Sequence, residues 1–146
     1  MIRDVEKTIG NLIDKATLTV ISSLDENCFP ISKAMLSPRK REGIQVFYLT
    51  TNTSSLKVQN FKRDSRATLY FVDKRFYRGV SLLGHVEILE DHASKEMIWL
   101  DGDTMYYPLG VDDPDYCVIK FTAFKGRYYR QFQSIDFDVP CQESSY

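Results

Sequence analysis

Apolar residues recur at Ile2, Val5, Ile9, Leu12 and Ile13, the spacing of one helix face, which predicts an amphipathic helix over residues 2–15. From Ala16 the period changes. Residues 17–24 are rich in β-branched side chains and predict a strand, closed by the polar turn Asp25-Glu26-Asn27. Residues 30–36 predict a second strand, 37–43 a polar turn and 44–49 a third strand, so the three read as an antiparallel meander. A helix is expected over about 54–61, then a strand over 67–72 and a turn at Asp73-Lys74-Arg75. Residues 76–90 form one long strand-like segment, in which Gly79 and Gly84 mark bulges or close backbone approach. Asp91 is a suitable N-cap for a helix over 91–101. Pro108, Gly110 and Pro114 make 106–115 an ordered loop, and 116–124 and 127–137 read as a last strand pair turning at Lys125-Gly126.

Six or seven strands with two or three short helices, and no βαβ alternation, predict a mainly-β fold: a small antiparallel barrel with an N-terminal helix and helical excursions. The chain has 146 residues, enough for one domain spanning 1–146 with a real core. Its net charge of −1 supplies no whole-molecule field for nucleic acid or an anionic membrane. The short cluster Arg39-Lys40-Arg41 falls in a predicted turn and reads as a solvated loop. Cys28, Cys117 and Cys141 are odd in number and far apart, which fits a reducing compartment and neither a disulfide framework nor a zinc site. Without a long apolar run or a signal-peptide core, a cytoplasmic protein is expected.

Chemistry concentrates in one stretch, Thr50-Thr51-Asn52-Thr53-Ser54-Ser55-Leu56-Lys57, at a predicted strand-to-helix junction. Unpaired N–H groups and the helix dipole favour an anion there. Lys57, in the first helical turn, opposes the dipole unless an anion compensates it. Two readings stand at this point: a hydroxyl-capped helix with a solvated lysine, and a phosphate site. Elsewhere the candidates are weak. His85 and His92 lack metal-ligand partners at useful spacing, and no metal site is expected. Asp101, Asp103, Asp112, Asp113 and Asp115 do not match a calcium loop and read as solvated turn residues. No nucleophile motif, Walker sequence or dinucleotide fingerprint occurs, so no catalytic residue is assigned. An enzyme built this way would take its reactivity from a cofactor.

The order of elements and motifs resembles the pyridoxamine 5′-phosphate oxidase-like, FMN-binding split-barrel proteins, especially the general stress protein branch. Thr51-Asn52-Thr53-Ser54-Ser55-Leu56-Lys57 is similar to that family's T-(N/S)-x-x-S-x-K signature, with Thr50 ahead of it. The resemblance implies that Thr51, Ser55 and Lys57 bind the FMN phosphate. Pro30-Ile31-Ser32-Lys33 is similar to P-x-x-R, placing Lys33 where an arginine meets the phosphate, a change that keeps the charge and loses the bidentate fork. The strand continuing through Ala34 and Met35 would line the isoalloxazine ring. Val80-Ser81-Leu82-Leu83-Gly84-His85-Val86-Glu87 resembles the family's V-x-V-x-G-x-A/V-E strand, followed by Asp91 and a helix containing Trp99. Tyr106-Tyr107-Pro108-Leu109-Gly110 and Asp112-Asp113-Pro114-Asp115-Tyr116 resemble Y-F-P-x-G…D-P-x-Y. Trp99, assigned to the cofactor site, is with Tyr107 and Tyr129 also a candidate for contact with a second subunit.

The resemblance implies a homodimer with FMN at its interface. It also implies an oxidoreductase that acts on a small organic substrate, with NADH or NADPH as donor. The alternative is a flavin- or haem-binding module with a stress or sensing role. Departures argue against vitamin B6 oxidation: Gly79 stands where true oxidases carry glutamine, Leu56 where they carry a second basic residue, and their C-terminal arginine segment has no counterpart.

Overall fold

Asp4 starts the first helix. Its side chain accepts a hydrogen bond from Lys7 N at 3.1 Å, opening α1 (Val5–Lys15), where Glu6 in the first turn and Lys15 in the last complement the dipole. Ile9, Leu12 and Ile13 are the buried face. The computed structural model describes residues 2–139, so Cys141 lies outside the described residues.

Eight strands form among the described residues: β1 (Leu18–Leu24), β2 (Pro30–Met35), β3 (Lys40–Glu42), β4 (Val46–Asn52), β5 (Arg66–Asp73), β6 (Arg78–Leu89), β7 (Tyr116–Arg130) and β8 (Gln133–Asp138). Helix α2 (Leu56–Arg63) links β4 to β5. Between β6 and β7 lie α3 (His92–Met97), capped by Asp91, and a 3₁₀ turn at Asp101–Met105. All pairings are antiparallel, in the order β2-β1-β5-β6-β7-β4-β3, with β8 on β7.

The sheet curls on itself. Phe47 of β4 and Phe71 of β5 stand three positions apart in the strand order, yet their ring centroids are 5.7 Å apart. One core holds Ile21, Phe47, Leu49, Leu69, Leu82, Phe121 and Phe137 together with the α1 face. The opposite face of β4 and β7 carries a satellite cluster of Val46, Tyr48, Tyr116 and Val118, covered by Ile98, Trp99 and Tyr107. Curling the sheet this way buries one face around the core, with β2 and β3 at the two ends of the strand order.

Several sequence expectations change. The expected meander of the first three strands does not form: β2 pairs only with β1, while β4 pairs with β7 and β3. Turn length made a meander plausible, but packing of Phe47 and Leu49 into the common core selects β7 as neighbour. The expected polar turn at 37–43 contains strand β3. Arg39 is not solvated there but makes a bidentate bond to Asp103, at 2.9 and 2.7 Å. Arg41 likewise pairs with Asp14 at 2.7 Å. No turn occurs at Lys125-Gly126, since β7 runs through it and reverses at Gln131-Phe132. Gly126 is small for a packing reason: a Cβ there would meet the Phe137 ring at 2.2 Å.

Finally, Asp103 and Asp113 are buried rather than solvated, at 3% and 6% exposure. Asp113 accepts from Leu109 N at 3.1 Å and Asp115 N at 3.0 Å, and so folds the 106–115 loop.

Gly84 sits at the register shift between β6 and β7, where an added Cβ would lie 2.1 Å from Thr122 O. That atom is backbone and cannot swing aside. Gly84→Ala is expected to cost about 3 kcal/mol or more, by opening the β6–β7 ladder. Urea unfolding measures it, and a loss within ~0.5 kcal/mol would show the ladder to be slack there.

Candidate functional site

The Thr50–Lys57 segment does form a strand-to-helix junction, and Asp115 shapes it. Asp115 O accepts from Thr53 N at 2.7 Å, and its carboxylate accepts from Ser54 N at 2.8 Å and from Asn52 Nδ2 at 3.0 Å. These bonds hold the Asp115 carboxyl below the usual carboxylate range. Thr53 Oγ1 is enclosed without a hydrogen-bond partner of ordinary geometry. The adjacent Cys117 thiol is pushed up by burial, with Thr53 opposing that rise as only a weak partner.

Ser55 is the N-cap of α2 by backbone conformation, yet its side chain does not cap the helix. Its hydroxyl donates to Asn52 O at 2.7 Å instead. The first turn of α2 also contains no acidic residue. Its N–H groups therefore present a positive end with no acid in the turn itself, the Asp115 carboxylate being engaged just before it by Ser54 N and Asn52 Nδ2.

Facing that end is a cavity of about 220 Å³ lined by Ile21, Ser23, Ile31, Ser32, Lys33, Ser55, Leu56 and Lys57. Lys33 arrives because β2 pairs with β1 in the register Ile21↔Lys33 and Ser23↔Ile31. Burial lowers the Lys57 pKa from its usual 10.5, and the Lys33 charge lowers it further. Neither lysine forms an ion pair among the described residues. Two ammonium groups line one cavity beside a helix start that its own N-cap side chain leaves uncapped, and no carboxylate is in the lining, a chemistry complementary to an anion.

Lys33, Ser55 and Lys57 thus come together. Thr51 is buried, on the inward face of β4 with Phe47 and Leu49, beneath rather than in the cavity lining. Met35 packs against the main core. Thr50 points to the opposite face of β4, the side of Tyr48. Trp99 lies over that same side, 5.2 Å from Tyr116 and 6.3 Å from Tyr107 between ring centroids. The sheet therefore separates Thr50 and Trp99 from the two lysines within one chain.

Sequence reasoning missed Ser23 and Asn60. Asn60, fully buried on α2, donates to Ser23 Oγ at 3.1 Å and ties the helix to β1 beside the cavity. A polar residue on the apolar face of a short helix was the available signal. Asp115 was missed as well, because its partners lie 61 and 63 residues away.

The pyridoxamine 5′-phosphate oxidase-like family matches residues 4–137. Among solved structures, the chain is similar to a Clostridium acetobutylicum protein related to general stress protein 26, of the pyridoxinephosphate oxidase family. The two are 40% identical with a TM-score of 0.85, over 95% of this chain and 97% of that one. General stress protein 26 from Bacillus anthracis is 20% identical with a TM-score of 0.73, over 91% and 98%. A heme binding protein from Mycobacterium smegmatis is 16% identical with a TM-score of 0.75, over 94% of this chain and 59% of that one. At these two lower identities the likeness is one of fold alone. No curated protein sequence matches the chain.

Proposed function

The chain belongs to the pyridoxamine 5′-phosphate oxidase-like family, and from that premise we propose that it binds FMN by its phosphate in the Lys33–Lys57 cavity. The observation that carries the reading is the pair of ammonium groups sharing a cavity without an acid. A phosphate monoester carries a charge of about −1.5 to −2 at neutral pH, which matches two lysines. The donor set also fits. Lys57 and Lys33 supply charge-assisted bonds, the first turn of α2 supplies backbone N–H groups, and Ser55 can donate once its hydroxyl leaves Asn52 O.

FMN, when bound, supplies hydride or electron transfer, and the protein orients and shields it. We read the activity as FMN-dependent oxidoreduction of a small organic substrate with a nicotinamide donor. No acid or base is assigned, because none lines the cavity except the lysines that hold the phosphate. Haem binding is the competing reading on this fold. The lining contains no histidine, cysteine, methionine or tyrosine to ligate haem iron, which favours the phosphate.

A second copy of the chain is part of the proposal. The outer face of β1, β5 and β6 exposes Leu18, Tyr70 and Leu83, with Phe124 of β7 beside them. A dimer on that face would close the neighbouring cleft of about 250 Å³ between Ser22, Arg66, His85 and Phe124. Sedimentation that finds only monomer removes this part of the reading.

The test compares FMN with riboflavin, which has the same ring and no phosphate. FMN is expected to bind on the order of 100-fold more tightly, the worth of two charge-assisted contacts. Fluorescence quenching reads both affinities. Equal affinity would mean that the cavity does not hold the phosphate.

A further inference from the structure

The ends of two hairpins lie side by side where the β6–β7 ladder runs out past Gly79↔Tyr129. Their tips expose three aromatic side chains: Phe76 at 66%, Tyr77 at 82% and Phe132 at 96%. Core packing explains none of them. Turn chemistry does not explain them either, because Tyr77, Gln131 and Phe132 hold φ values of 49°, 49° and 61°. An L side chain there costs about 1–2 kcal/mol, and glycine or asparagine serves such positions at less cost.

Cations surround these rings. The β5–β6 tip reads Asp73-Lys74-Arg75-Phe76-Tyr77-Arg78 and the β7–β8 tip Arg130-Gln131-Phe132-Gln133. Asp73 is the one acid in either tip. It is fully buried and engaged with Arg75 at 3.2 Å and Arg78 at 3.3 Å. Both guanidiniums also sit over the Phe76 ring, 5.5 and 5.8 Å from its centroid, which holds the ring outward. Grooves of about 370 and 390 Å³ flank the tips, and Arg3, Lys15, Arg78 and Arg130 are among their linings. The chain's net charge of −1 therefore conceals a local positive end, and no groove residue belongs to the Lys33–Lys57 cavity.

We propose that this end of the molecule docks on an anionic lipid surface. Phe76, Tyr77 and Phe132 enter the interfacial layer, while Lys15, Lys74, Arg75, Arg78 and Arg130 meet the headgroup charge. Aromatic tips with a cationic surround are the composition that partitions into a membrane interface. Rings that project outward suit a soft surface better than a nucleic-acid strand, which requires a groove with stacking platforms. The inference is independent of the FMN reading.

Flotation of the purified full-length protein tests it, with vesicles of phosphatidylcholine alone and of phosphatidylcholine with phosphatidylserine. Binding is expected only with phosphatidylserine and is expected to weaken as salt rises. The double variant Tyr77→Ser with Phe132→Ser should lose about tenfold or more in vesicle affinity. Its far-ultraviolet circular dichroism and cooperative thermal melt should match those of the wild type, which shows that it folds. Wild type left unbound by phosphatidylserine vesicles would overturn the proposal, as would equal binding by the variant. So would a single-stranded oligonucleotide that binds where vesicles do not, or a variant that turns a dimer into a monomer.

Discussion

Lys57→Met is expected to lower FMN affinity by roughly 10- to 100-fold, the worth of one hydrogen bond to a charged group. The same variant should be more stable than the wild type when FMN is absent. Both effects come from one fact: burial and the Lys33 charge penalise the Lys57 ammonium in the free protein. With its folded pKa below its unfolded value, Lys57 binds fewer protons in the folded state between those two values. Stability of the free protein therefore rises with pH across that window, and the penalty is fully present below it.

A bound phosphate reverses the balance by favouring the ammonium. FMN affinity should then fall as pH rises through the lowered Lys57 pKa, and binding in that range should take up protons. Thermal melts of wild type and Lys57→Met, with and without FMN, test the whole scheme. The order of the two melting temperatures should invert when FMN is added. If Lys57→Met binds FMN as well as the wild type at neutral pH, the phosphate is not in this cavity and the central proposal fails.

Asp103→Ala should destabilise the protein by about 3–5 kcal/mol, the cost of leaving one member of a buried ion pair alone. Asp103 is 4% exposed at its side chain and Arg39 is 16% exposed. The pair is bidentate, and each partner has a further bond: Arg39 Nη1 donates to Ile98 O at 3.2 Å, and Asp103 accepts from Leu100 N at 2.9 Å. One bridge therefore ties the start of β3 to the α3 and 3₁₀ segments that cover the satellite cluster. Trp99, the single tryptophan, sits in that cover against Tyr107 and Tyr116.

The variant should melt roughly 10–20 °C lower, with tryptophan emission shifted to the red as the cover loosens. The Arg39 bond holds the Asp103 carboxyl below its usual 3.8. This contribution is therefore complete above the unfolded carboxylate value and is lost as pH falls through the lower folded one. A loss of less than ~1 kcal/mol would place the bridge with ordinary surface pairs, against the structure.

By itself the sequence determined what depends on near neighbours. The 3.6-residue apolar repeat of Ile9, Leu12 and Ile13 specified α1, and the apolar run 67–72 marked the strand that the structure extends to Arg66–Asp73. Hydroxyl residues followed by Lys57 marked the strand-to-helix junction, because helix-end chemistry is contained within one turn.

Only the tertiary structure decided which strands pair. It set β4 beside β7 rather than β2, and it carried β7 unbroken through Gly126 because the Phe137 ring fills the space of the missing Cβ. It also brought Lys33 of β2 to Lys57 of α2, and Arg39 to Asp103. Such contacts depend on how the sheet curls around Phe47, Phe71 and Phe121, a packing outcome that no local period or cap records. The strand-to-helix junction was thus legible in the residues, but the shared cavity that holds Lys33 beside Lys57 was formed by strand pairing.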